Sequence, residues 1–169
     1  MTLSSSFAIA AAGELSSALD LSTARAPLSV SRAVLYGSGT GAGLADKLFS
    51  DHRTLAASAT EDLDLAGVLL DALGTAITFA RVKGLLISAA ATNTNNVVVG
   101  AASSNPWATF LNSTGTVTLR PGATLGLFAG AADPTTYAVT AGTGDLLKVA
   151  NSGAGTPVSY DIVIIGAST

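Results

Sequence analysis

The chain has 169 residues, 49% of them apolar and only 11% charged, with eight Lys and Arg against eleven Asp and Glu. That length suits one domain, able to bury roughly two thirds of the surface its unfolded chain exposes. A net charge of −3 offers no basic footprint for nucleic acid, and the absence of cysteine excludes a disulfide framework, a thiolate metal site and a Cys nucleophile.

The positive mean hydropathy raises the question of a membrane segment. The longest uncharged stretch, Gly84 to Leu119, is broken by Thr92-Asn93-Thr94-Asn95-Asn96 and by Ser103-Ser104-Asn105-Pro106, so no span is expected. The short apolar run Phe7 to Ala12 has no cation before it, since the first is Arg25, and is not read as a secretory leader.

Residues 1–32 are rich in small and hydroxyl side chains and are read as an N-terminal arm or a first strand. Leu15, Ala18 and Leu19 have the spacing of a weak helical turn, with an extended conformation equally compatible. Pro27 stops any onward helix, and Leu28-Ser29-Val30-Ser31 alternates as a strand does. Residues 33–169 are read as one β-sandwich domain. Val34-Leu35-Tyr36 runs into the glycine-rich Gly37–Gly43. Leu65, Val68, Leu69, Ala72 and Leu73 fit a short helix, but β-favouring Ile77 to Val82 follows at once, so a strand turning at Asp71–Thr75 is the preferred reading. Leu85-Leu86-Ile87, apolar on both faces, reads as a central strand. Val97–Val99, Thr116–Leu119, Thr124–Phe128, Thr136–Thr140, Leu146–Val149 and Val158–Ile165 are strand-like runs between Asn-, Gly- and Pro-rich turns. In the last run Tyr160, Ile162 and Ile164 share one face and Asp161, Val163 and Ile165 the other. The expected fold is all-β, an antiparallel β-sandwich.

Candidate chemistry is sparse. Gly37–Gly43 follows a strand but lacks the Gly-Lys-Ser/Thr ending of a phosphate loop and a helix behind it, so it is read as a mobile loop, and Ser38 lacks the Gly-x-Ser-x-Gly spacing of a nucleophile elbow. His52, the sole histidine, sits between Asp51 and Arg53 and is read as part of a solvated turn. Glu61, Asp62 and Asp64 form one acidic cluster without the ligand count of a calcium loop. Asn93, Asn95 and Asn96 fit turn chemistry, and Asn112-Ser113-Thr114 is a formal glycosylation sequon. No catalytic residue, cofactor or metal is expected. Trp107 is read as core or as an anchor at a subunit contact.

The stretches Asn93–Gly100, Arg120-Pro121-Gly122-Ala123, Asp145–Gly153 and Tyr160–Gly166 resemble virion structural proteins of tailed bacteriophages, above all small capsid decoration (cement) proteins. The likeness covers residues 63–169. It implies a jelly-roll-like sandwich, self-association as a homo-oligomer, and attachment to the major capsid protein. The chain would then sit on the capsid surface of the virion, after a period in the host cytoplasm before assembly. A tail or head-fibre component is the second reading; a binding module or hydrolase using Gly37–Gly43 with Asp51, His52 or Glu61 is the third. Under the first, Leu3, Phe7, Ile9, Leu15, Leu19 and Leu21 of the arm, together with Trp107, are candidate subunit or capsid contacts, because a compact sandwich offers those arm residues no partner. The competing expectation is that the segment packs on its own domain as an extra strand.

Overall fold

A computed structural model describes residues 2–169, and every regular element among them is a β-strand. In chain order these are β1 (Ser5–Ala18), β2 (Thr23–Ser38), β3 (Leu44–Ala45), β4 (Lys47–Leu55), β5 (Thr60–Asp64), β6 (Leu69–Leu70), β7 (Ala76–Ile77), β8 (Arg81–Ala89), β9 (Val97–Gly100), β10 (Thr116–Leu119), β11 (Thr124–Phe128), β12 (Tyr137–Ala138), β13 (Leu146–Asn151) and β14 (Val158–Ala167).

Two four-stranded antiparallel paths, β10-β9-β13-β5 and β11-β8-β14-β4, form the layers of a sandwich. Their pairing is nested: β4 pairs with β14, β5 with β13, β8 with β11 and β9 with β10. The chain therefore forms a long antiparallel ribbon that rolls up until β14 also meets β8 and β13 meets β9. Alternation fills the space between layers, as period-2 patterning requires. Tyr160, Ile162 and Ile164 of β14, Leu85 and Ile87 of β8, Val97 and Val99 of β9, and Leu147 and Val149 of β13 are all buried there. β8 is a central strand, flanked by β11 and β14. The β6–β7 hairpin turns through Asp71, whose carboxylate accepts from the Leu73 and Thr75 amides, so the helical alternative for this stretch does not form.

Residues 2–32 do not form a single extended arm, nor does the spacing of Leu15, Ala18 and Leu19 yield a helical turn. β1 and β2 make one antiparallel hairpin whose fourteen register pairs run from Ser5 opposite Tyr36 to Ala18 opposite Thr23. β2 continues without a break across the 32/33 boundary. At about 3.3 Å per residue the hairpin is roughly 45 Å long. Its base forms a third layer on the outer face of the β11-β8-β14-β4 sheet, where Phe7, Val34, Tyr36, Ala45 and Ile165 make a second, smaller core. The close approach needs glycine. A Cβ on Gly84 would meet Phe7 at 3.0 Å and one on Gly126 would meet Ile9 at 3.2 Å.

Candidate functional site

The hairpin leaves the body just past that contact. Phe7 stacks on Phe128 at 5.3 Å, and from Ala8 to Ala33 every residue is exposed. Directly opposed residues share a face, so the register sorts the two sides. One side carries Phe7 and Val34 at the base, then Ile9 with Arg32, Ala11 with Val30, Gly13 with Leu28 and Leu15 with Ala26. The other carries small residues, Ala8, Ala10, Ala12, Ser29, Ser31 and Ala33, and an ion pair in which Arg25 donates to Glu14 at 2.8 Å. The four-residue tip is closed by a bond from the Leu19 amide to the Ser22 carbonyl at 2.8 Å. Leu15 is 79% exposed and Leu21 fully exposed.

The residues singled out in the sequence thus separate into two groups. Phe7 and the half-buried Leu3 belong to the body, Ile9 lies over Gly126 at its margin with about half its surface exposed, and Leu15, Leu19 and Leu21 project from it. Trp107 joins the first group. It is 3% exposed, tilted against Phe110 at 5.1 Å, with its indole N–H donating to the Ala138 carbonyl at 2.8 Å, and it takes no part in an exposed contact surface. Leu28, Val30 and Leu35, which the sequence reading left out, are also exposed on the hairpin. The alternation of Leu28-Ser29-Val30-Ser31 was the available signal, since one side of a two-stranded ribbon repeats every second residue.

The loop Gly37–Gly43 is wrapped around a cation. Lys83, buried on β8, donates from its ammonium to the carbonyl oxygens of Thr40, Gly41 and Leu44. The amides of Gly37, Gly39 and Leu44 are used within the loop and its flanks, bonding to Gly43, Ala45 and Gly41. Carbonyls rather than amides therefore face the enclosed group, the reverse of an anion cradle. Burial and the nearby Arg81 hold the Lys83 amine below its ordinary range, with Asp46 opposing them. Beside it the buried Tyr36 hydroxyl donates to the Ala129 and Lys83 carbonyls at 2.6 and 2.9 Å. Burial, aided by Tyr137 and opposed by the Ala129 bond, pushes that phenol up to about 12.

His52 lies in mid-strand on the exposed outer face of β4, not in a turn. Its Nδ1 is 2.6 Å from the Asp161 carboxylate, its register partner on β14. Next in the same row is Ser88, whose hydroxyl pairs with Thr124 at 2.8 Å rather than with the imidazole. The acidic cluster is divided by strand alternation. Glu61 turns inward, accepting from the Tyr160 hydroxyl at 2.6 Å and from Arg53 at 2.8 Å, and closes the open side of the sandwich between β4 and β5. Asp62 sits opposite Lys148, and Asp64 accepts from the Ala66 amide at 3.0 Å. Among the described residues no group of three or more His, Asp or Glu side chains is placed to hold a metal ion. The asparagines act as turn staples: Asn93 is bonded in both directions to the Ser159 backbone, and Asn95 donates to Asn151, Gly153 and Thr156.

No protein family, curated protein or solved structure matches the chain.

Proposed function

We propose that this is a non-enzymatic structural protein of a phage virion that decorates and stabilises the capsid, acting as a homo-oligomer that bridges neighbouring major capsid subunits. The single observation that carries the reading is the projecting hairpin. Beyond Ile9, a two-stranded ribbon with Leu15, Leu28 and Val30 exposed on one side and uncovered by the described residues of its own chain is a surface built for contact with another molecule. A rigid sandwich that extends such a ribbon beyond its own edge can reach across a joint between shell subunits, and many copies on one shell add avidity. The nested strand pairs, rolled so that first and last lie side by side, are the pattern the jelly-roll reading calls for.

Cryo-electron microscopy of virions carrying the chain tests the proposal. Density for the sandwich at joints between major capsid subunits, with the hairpin crossing the joint, is the expected result. Density on the tail alone, or no density on the particle, overturns it.

A further inference from the structure

The hairpin has a charge and an area that restrict what covers it. The chain exposes 8857 Å². A folded monomer of this mass exposes about 7,600 Å². The excess over the whole chain is therefore about 1,300 Å², shared between the two sides of the ribbon, on the scale of the roughly 800 Å² that each partner gives to a standard stable interface. From Ser5 to Ser38 the charged residues are Glu14, Asp20, Arg25 and Arg32, which sum to zero. Glu14 and Arg25 neutralise one another on the small-residue side. On the large-residue side only Arg32 is charged, near the base, while Asp20 lies at the tip. A surface that is apolar along its length, with opposite charges at its two ends, complements itself when turned end for end.

We infer that the apolar side of this hairpin is covered by the same side of the hairpin of a second copy, laid antiparallel, so that two hooked ribbons clasp about a two-fold axis. The inference rests on the homo-oligomer part of the proposed function and names its interface. The base of the hairpin presses its large-residue side onto its own body, so that body lies on the side toward which the apolar strip faces. Two hairpins stacked with their bodies at the same end collide there and place Arg32 against Arg32. Reversed, each tip points toward the other body, and Arg32 of one chain meets Asp20 of the other, twice. Matching those ends puts the axis beside Leu15 and Ala26, a directly opposed pair.

The test uses the full chain, which has no cysteine of its own. Analytical ultracentrifugation of the wild type is expected to give a dimer, and Leu15→Asp with Leu28→Asp is expected to halve its mass to the 16.6 kDa of one chain while the β-type circular dichroism is unchanged. A monomeric wild type, or a double variant that stays dimeric, overturns the inference. If the double variant loses its β signal, cross-linking decides. Facing sheets lie about 10 Å apart, beyond the roughly 7 Å Cα separation a disulfide can bridge. Ala26→Cys is therefore expected to join two chains through a short bis-maleimide but not by simple oxidation, and Ala12→Cys, on the opposite side, by neither. Direct disulfide formation at Ala26→Cys means edge-to-edge strand pairing, and linkage at Ala12→Cys means the other face; either overturns the clasp. Binding to capsids is scored separately, so a wild type that is monomeric and still coats shells refutes the clasp alone.

Discussion

Tyr160 and Glu61 offer a double-mutant cycle whose outcome follows from burial. The Tyr160 hydroxyl, on a residue with no exposed surface, donates to Glu61 Oε1 across the two sheets, and Arg53 donates to the other carboxylate oxygen. Tyr160→Phe removes one hydrogen bond to a charged group and leaves Glu61 with its arginine, so it costs about 1.5–3 kcal/mol. Glu61→Leu strands a hydroxyl that water cannot reach, costing about 1–3 kcal/mol. The Arg53 side chain is 29% exposed, so it turns to water and its ion pair contributes less than about 1 kcal/mol. Once Glu61 is leucine, Tyr160→Phe removes the stranded group and is close to neutral, which makes the coupling about 1.5–3 kcal/mol. Urea unfolding of the four proteins measures it. For a chain of this length about 2–4 °C of Tm accompanies each kcal/mol, so Tyr160→Phe lowers Tm by about 3–12 °C in the wild type and scarcely at all beside Glu61→Leu. Equal losses in both backgrounds, within about 0.3 kcal/mol, would refute the argument.

Ile164, fully buried in β14 between Leu85 and Phe49 in register, is expected to lose about 2–5 kcal/mol as Ile164→Ala, whereas Leu21→Ala at the hairpin tip shifts stability by less than about 0.5 kcal/mol; thermal unfolding of the two variants reads the difference. Asp46 ties the C-terminal segment to the body by accepting from the Ser168 amide at 2.9 Å and hydroxyl at 2.6 Å. Burial acts to raise its carboxyl, but those two bonds and Lys47 outweigh it and hold the group below its ordinary value. The stabilisation is therefore complete above the unfolded value of about 3.9 and is lost as pH falls through the lower folded value, so Asp46→Asn flattens that part of the Tm profile between about pH 5 and 2. An unchanged acid limb counts against the assignment.

What was legible in the sequence was whatever burial had patterned. In Tyr160–Ile165 and Leu85–Ile87 the core dictates which positions are apolar, and strand, facing and centrality follow from the residues alone. β1 left no such trace, because beyond Phe7 it is wet on both sides and Ala8 to Ala12 satisfy an exposed strand without alternation. Its pairing is decided by β2, and cross-strand register is invisible to a local pattern. The Gly37–Gly43 loop was misread as mobile because its ordering group is Lys83, forty residues away in the chain. A lone lysine inside the apolar run Val82 to Ile87 was the signal, since a buried ammonium demands carbonyl partners. His52 was misplaced for a similar reason. The polar triplet Asp51-His52-Arg53 looks like a turn, yet β4 is an edge strand with one face to water and an open side where Arg53 meets Glu61.

The central claim is that the outer hairpin serves contact with other molecules and not the fold of its own domain. Deleting Met1 to Arg25 removes Phe7 and the whole of β1, the partner of β2, so it confounds the two roles. Replacing residues 12–29 by an Asn-Gly turn keeps Phe7, Ile9 and Val34 and removes only exposed ribbon. The measurement is co-sedimentation of this shortened protein with capsids, alongside its melting temperature. The account predicts a Tm within a few degrees of the full chain and loss of capsid binding; a shortened protein that binds as the full chain does, or one that no longer folds, contradicts it.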